Sequence, residues 1–233
     1  MGNSVPRASD AGSRILELCG RAEAETFKVW LQTTDSWPGQ NAVARKIARC
    51  RDREALRDLM AEVRFALIFR GIGFQVRFEP LGSVGPDLEV TRADMSITVE
   101  VTRVRPTNPG PQPFDGTGGL LPYGNFERDV RRTIRKITSK IRQARGPLAG
   151  IAIWNDDEAL EHVEARFGTR ALRRRIPVSI QFILYGSNWV RTVTHQQLYC
   201  FPLQDPLDER LGAVIQDLES TTVRQAVGWL SDW

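Results

Sequence analysis

The chain has 233 residues, 41% hydrophobic and 26% charged, with a net charge of +4 and a pI near 9.2. That balance suits a soluble globular protein with one substantial domain and extensions, and no stretch is long and apolar enough to span a bilayer. Three scattered cysteines (Cys19, Cys50, Cys200) and only two histidines (His162, His195) exclude a zinc cage and suit a reducing, cytoplasmic compartment.

The polar start "MGNSVPRASD" lacks the apolar core of a secretory signal, and Pro6 spoils its likeness to a myristoylation start. From Ser13 to about Gln32, the pattern Ile15, Leu16, Cys19, Ala22, Phe27, Trp30, Leu31 predicts one helix. "DSWPGQ" (Asp35 to Gln40) predicts a turn, and a basic helix follows over Asn41 to Cys50. Leu56, Leu59, Met60, Val63, Ala66 and Leu67 set a long helix from Arg53 to Arg70, ended by Gly71. The period then changes to two. Strands are expected at Phe74–Phe78, Asp87–Thr91 and Ser96–Val104, the last two joined as a hairpin.

Residues 105–125 hold five Pro and five Gly, which excludes a regular element; a loop this long is usually functional or disordered. A helix is expected from Phe126 to Arg145, then a strand at Leu148–Trp154, a helix near Asp157–Phe167 and a strand at Val178–Leu184. A short strand at Gln197–Phe201 and helices near Leu207–Glu219 and Val223–Leu230 close the chain. The order predicts an α/β fold with a central mixed β-sheet flanked by helices. A helical N-terminal extension (1–52), a core (53–190) and a mixed C-terminal extension (191–233) are expected.

Strand parity then places the acids. Asp87 and Glu89 share one face of their strand; Ser96, Thr98, Glu100 and Thr102 share one face of the next. In a hairpin, Asp87, Glu89 and Glu100 can converge; the alternative is an ordinary solvated face. Two carboxylates ~4 Å apart repel by ~4 kcal/mol at an effective dielectric near 20, so one keeps a proton or a cation sits between them. Oxygen donors without His or Cys favour Mg²⁺ or Mn²⁺. Glu62, three, four and seven residues from Leu59, Ala66 and Phe69, either turns inward or pairs in solvent with Arg57, Arg64 or Arg70.

A helix bearing Glu62, then Pro86–Asp87, then Glu100-Val101-Thr102, then another helix, resembles the PD-(D/E)xK nuclease superfamily over roughly Arg53 to Leu184. The resemblance implies a restriction-endonuclease-like αβββαβ core and an endonuclease that hydrolyses phosphodiesters. It implies that Asp87 and Glu100 are metal ligands, and that Glu62 supports the site directly or through a bound water. DNA is preferred to RNA by family habit alone. Thr102 departs from the pattern, standing where the family keeps a lysine; its hydroxyl can bond a water but brings no positive charge. Some members of the superfamily move this lysine to the following helix, and "KITSKIRQ" (Lys136 to Gln143) looks like such a case. There, Phe126, Val130, Ile134, Ile137 and Ile141 form a stripe, and Lys140 projects roughly 80° from its centre, on the side of Lys136 and Gln143. A long side chain there can snorkel to the sheet; the alternative is a solvated basic helix.

The same helix carries eight Lys or Arg against Glu127 and Asp129. Arg131, Arg132, Arg135, Lys136 and Gln143 are therefore candidates for nucleic-acid contact, and Arg170 with Arg173–Arg175 forms a second basic cluster. No GxSxG elbow or GxxxxGK[ST] loop is present, so a hydrolase of the elbow type and ATP-driven chemistry are not expected. Two rivals stand beside the Mg²⁺ nuclease. One is an inactive nuclease-like protein that binds nucleic acid or a protein partner, with Thr102 as its support. The other is a subunit active only in a complex, as a homodimer or with a partner protein.

Overall fold

The computed structural model describes residues 8–82, 84–105, 134–155, 177, 179–187, 198–204 and 208–220. Four helices come first: α1 (Ala8–Leu18), α2 (Arg21–Thr33), α3 (Gln40–Arg49) and α4 (Arg53–Gly71). Strands β1 (Gln75–Phe78), β2 (Leu88–Arg92) and β3 (Met95–Val104) follow. Helix α5 (residues 134–140) precedes β4 (Ala149–Asn155), β5 (Ile180–Ser187), β6 (Tyr199–Pro202) and α6 (Glu209–Ser220). The single helix expected over Ser13–Gln32 is two. Gly20 is the N-cap of α2 with an extended backbone (φ −64°, ψ 161°), and glycine there costs a continuous helix more than any other residue but proline. The stretches expected as a loop at 106–125, a helix at 157–167 and a helix at 223–230 lie outside the described residues, as do His162, His195 and the Arg170–Arg175 cluster.

The six strands form one mixed sheet in the order β1-β2-β3-β4-β5-β6. β1, β2 and β3 are antiparallel neighbours, β3–β4 and β4–β5 are parallel, and β6 returns antiparallel to β5. Parallel neighbours need long crossovers, and α5 lies in the first of them. The sheet is covered on both faces. Ile97, Val99, Val101, Ala152, Trp154, Phe182 and Leu184 point into a core shared with α4 and with α1–α3. Val104, Ile151, Ile153, Ile183 and Tyr185 point into a second core with Ile137 of α5. The larger core runs from Ala11 to Leu218, so the segments at both ends of the chain share it.

Helix α4 is the scaffold beneath the site. Asp52 caps it, its side chain accepting from Ala55 N at 2.7 Å, which is worth ~1 kcal/mol. Ten of its residues are buried, among them Leu56, Val63, Phe65 and Phe69; each large one contributes ~1.5–3 kcal/mol. Arg103 of β3, buried, donates to Glu54 (2.9 Å) and Asp58 (3.2 Å), tying the central strand to the first half of α4.

Candidate active site

Asp87 is the residue just before β2. The β2–β3 register pairs Leu88 with Val99 and Glu89 with Thr98, so one step back brings Asp87 beside Glu100. Its Oδ2 accepts from Val101 N at 2.9 Å, which fixes the carboxylate against the middle of β3. Glu89 does not join the pair; it accepts from Ser96 Oγ at 3.1 Å on an exposed part of the ladder.

Glu100 is fully buried. Lys140 of α5 donates to its Oε1 at 2.6 Å, while its Oε2 has no hydrogen-bond partner among the described residues. Burial, and after it the charge of Asp87, push the Glu100 carboxyl up to about 8 against the opposing pull of Lys140. Burial alone would lower the Lys140 pKa, but Glu100, then Asp87 and Glu62, outweigh it and hold the ammonium above its ordinary range.

Glu62 turns inward from α4, and its partner is none of the three arginines considered from sequence. Lys46 of α3 donates to Glu62 Oε2 at 2.7 Å. The same ammonium reaches Glu79 at 3.1 Å and Asp87 Oδ1 at 3.3 Å. Burial and the Asp87 charge push Glu62 up to about 8 despite Lys46. Burial works against the Lys46 charge, yet Glu62, Asp87 and Glu79 outweigh it and raise its pKa.

Two backbone features aim this second cluster. Gly39 adopts φ +85°, and a Cβ on it would lie 2.1 Å from Phe78 O, so α3 starts in a turn pressed on the end of β1. Phe78 N donates to Pro38 O at 2.9 Å and locks that contact. One residue on, Glu79 holds φ +44°, an uncommon conformation for a residue with a Cβ, while its N donates to Asp87 O at 2.8 Å. Strain at Glu79 is thus held by the strand end on which the Lys46 partners converge.

The structure brings together Glu62, Asp87, Glu100 and Lys140. Thr102 is buried on β3 two residues beyond Glu100, paired in the ladder with Ile153. Lys136 donates to Arg103 O at 3.0 Å and is half-buried, because α5 lies across the end of β3. Arg135 is exposed, Gln143 is half-buried just past α5, and Arg131 and Arg132 lie outside the described residues. Lys46 and Glu79 were missed. Lys46 had a usable signal: it lies four residues after Ala42 and three after Val43, both buried, the same edge spacing that drew attention to Glu62.

Four carboxylates thus meet two ammonium groups. Among the described residues, no group of three or more His, Cys, Asp or Glu side chains stands ready to hold a metal ion. The donor chemistry nonetheless fits a hard divalent cation: oxygen ligands only, two carboxylates in excess, and the Asp87 and Glu100 carboxyls side by side. No family model, curated protein or solved structure matches the chain. No described helix is long and apolar enough to cross a membrane.

Proposed function

We propose that the protein is a divalent-metal-dependent nuclease of the PD-(D/E)xK kind, with a restriction-endonuclease-like core and DNA as its substrate. One juxtaposition carries the reading: the Lys140 ammonium sits 2.6 Å from the buried Glu100 carboxylate, beside Asp87, on the helix that follows the strand where Thr102 replaces a lysine. An ordinary structural ion pair would be complete once its acceptors were satisfied. Here the buried Glu100 carboxyl meets a second carboxyl, Asp87, beside Lys140, and two carboxyls are pushed up to about 8, features that cluster at reactive sites.

Asp87 and Glu100 would hold Mg²⁺ or Mn²⁺, which when bound supplies Lewis-acid polarisation of the phosphodiester. Val101 N–H fixes Asp87 through Oδ2, while Oδ1 accepts from Lys46. Lys140, anchored on Glu100, brings a fixed positive charge to the place where negative charge grows on the scissile phosphate. The Thr102 hydroxyl can orient a water but adds no charge. Glu62 would support the site directly or through a bound water. Arg135, Lys136 and Gln143 on the α5 side, with Arg131 and Arg132 preceding it in sequence, would track the nucleic-acid backbone.

The test is incubation with plasmid, single-stranded DNA and RNA, each with Mg²⁺, Mn²⁺ or EDTA, beside Asp87→Asn and Glu100→Gln. Metal-dependent cleavage lost in both variants supports the reading. A second reading, an inactive fold that binds nucleic acid or a protein partner, draws on the internal pairing of Lys46 and Lys140 with the acids. It predicts binding without cleavage under every metal.

A further inference from the structure

We propose that Lys46 is a built-in counter-ion which occupies the acid cluster and must be displaced from Asp87 before a divalent cation can bind there. This rests on the nuclease reading and deepens it. With Asp87 Oδ2 accepting from Val101 N–H at 2.9 Å, Oδ1 is the oxygen a cation would take first. That oxygen already accepts from Lys46 at 3.3 Å, the longest of the three contacts the ammonium makes. Its shorter contacts run to Glu62 at 2.7 Å and Glu79 at 3.1 Å. The ammonium can therefore give up Asp87 while keeping both of its closer partners.

Glu79 gives the device its direction. It sits just after β1 in a left-handed conformation at φ +44°, its N–H donating to Asp87 O at 2.8 Å, and its carboxylate holds Lys46 at 3.1 Å. Glu100, fully buried and held by Lys140 on Oε1, is the second carboxyl beside Asp87. Divalent binding between Asp87 and Glu100 would place two like charges beside Lys46, and the ammonium would withdraw toward Glu62 and Glu79. The metal-free site is in this way kept from collapsing through carboxylate repulsion, and weak or scarce cations are excluded.

The experiment measures Mn²⁺ binding to the full chain by calorimetry and by electron paramagnetic resonance of free Mn²⁺, at one pH, for the wild type, Lys46→Met, Lys46→Arg and Asp87→Asn. Lys46→Met should bind at least about ten-fold tighter than wild type, because a competing unit charge is gone, and Lys46→Arg should not. Because Lys46→Met also unpairs three carboxylates and could fail to fold, amine acylation of the wild-type protein is followed by mass spectrometry as a second readout. Labelling of Lys46 should rise several-fold on Mn²⁺ addition relative to Lys28, and the rise should vanish in Asp87→Asn. If wild type binds Mn²⁺, Asp87→Asn does not, and Lys46→Met binds no tighter or Lys46 labelling stays flat, the counter-ion proposal fails while the metal site stands. If no form binds Mn²⁺, both fail.

Discussion

Replacing Glu100 with glutamine should stabilise the metal-free protein and abolish metal-dependent cleavage, and the stabilisation should grow with pH. Glu100 is fully buried, with Lys140 on one oxygen and no partner for the other among the described residues. Burial and the Asp87 charge raise its carboxyl from the ordinary 4.5 to about 8. A folded-state carboxyl raised in this way keeps its proton where the unfolded chain has released it. Its contribution to stability is therefore fully present below 4.5 and is lost as pH rises from there to about 8. Each pH unit in that window is worth ~1.4 kcal/mol, which caps the loss at ~5 kcal/mol. Lys140 stays beside the ionised group and water enters an opened site, which brings the expected loss to roughly 2–3 kcal/mol. Glutamine has the same shape, keeps an oxygen for Lys140 and offers N–H to Asp87, and it does not ionise. In a chain of this length 1 kcal/mol moves Tm by about 2–4 °C. Glu100→Gln should melt within a few degrees of wild type near pH 5 and roughly 5–10 °C above it near pH 8.5. The assay is scanning calorimetry from pH 5 to 9 in EDTA. Parallel curves for the two proteins, or a lower Tm for the variant near pH 8.5, would refute the reasoning, because either would mean that the Glu100 charge costs the fold nothing.

Other expectations follow from the same geometry. Lys140→Ala should reduce cleavage by on the order of 10²–10³, the usual loss for one charge contact made in the transition state, with circular dichroism unchanged; normal turnover in Lys140→Ala beside a dead Asp87→Ala removes the lysine from the mechanism and leaves the metal site. Lys136→Ala should cut less deeply but lower Tm slightly, since it loses a bond to Arg103 O rather than a contact at the acids. Gly39→Ala should cost ~2–4 kcal/mol in urea unfolding, because φ +85° and the 2.1 Å approach to Phe78 O both forbid a Cβ; unchanged stability would show that α3 is not clamped there. Buried Glu23 accepts from Arg57 at 2.7 Å and Arg53 at 2.5 Å. Burial raises its pKa, but those two arginines prevail and leave it below the ordinary 4.5, so its stabilisation is present above 4.5 and fades as pH falls through the folded value. Glu23→Gln should lose ~1–3 kcal/mol at pH 7, discounted because Arg53 is half exposed, and the gap to wild type should narrow in acid.

Much of the frame was legible from local rules. The apolar spacing of Leu56, Leu59 and Val63 and the stop at Gly71 mark α4 without reference to anything distant. Two-residue alternation puts Val99 and Val101 on one face and Glu100 and Thr102 on the other, and the short link at Ala93–Asp94 forces the antiparallel register that carries Asp87 to Glu100. The edge position of Lys140 on its helix follows from 3.6 residues per turn. Partner choice did not follow. Lys46 lies 16 residues from Glu62 and 41 from Asp87, and its three contacts exist because Gly39 presses α3 onto the end of β1. Glu79 joins them through a left-handed backbone that no periodicity announces. The split at Gly20 between α1 and α2 was local, set by the glycine, but an apolar pattern read across it hid the break, with Leu16 and Ala22 of that pattern exposed. Periodicity and parity fix which way a side chain points along its own element. Which opposite charge it meets is decided by the packing of elements far apart in sequence, and here that packing set two ammonium groups among four carboxylates.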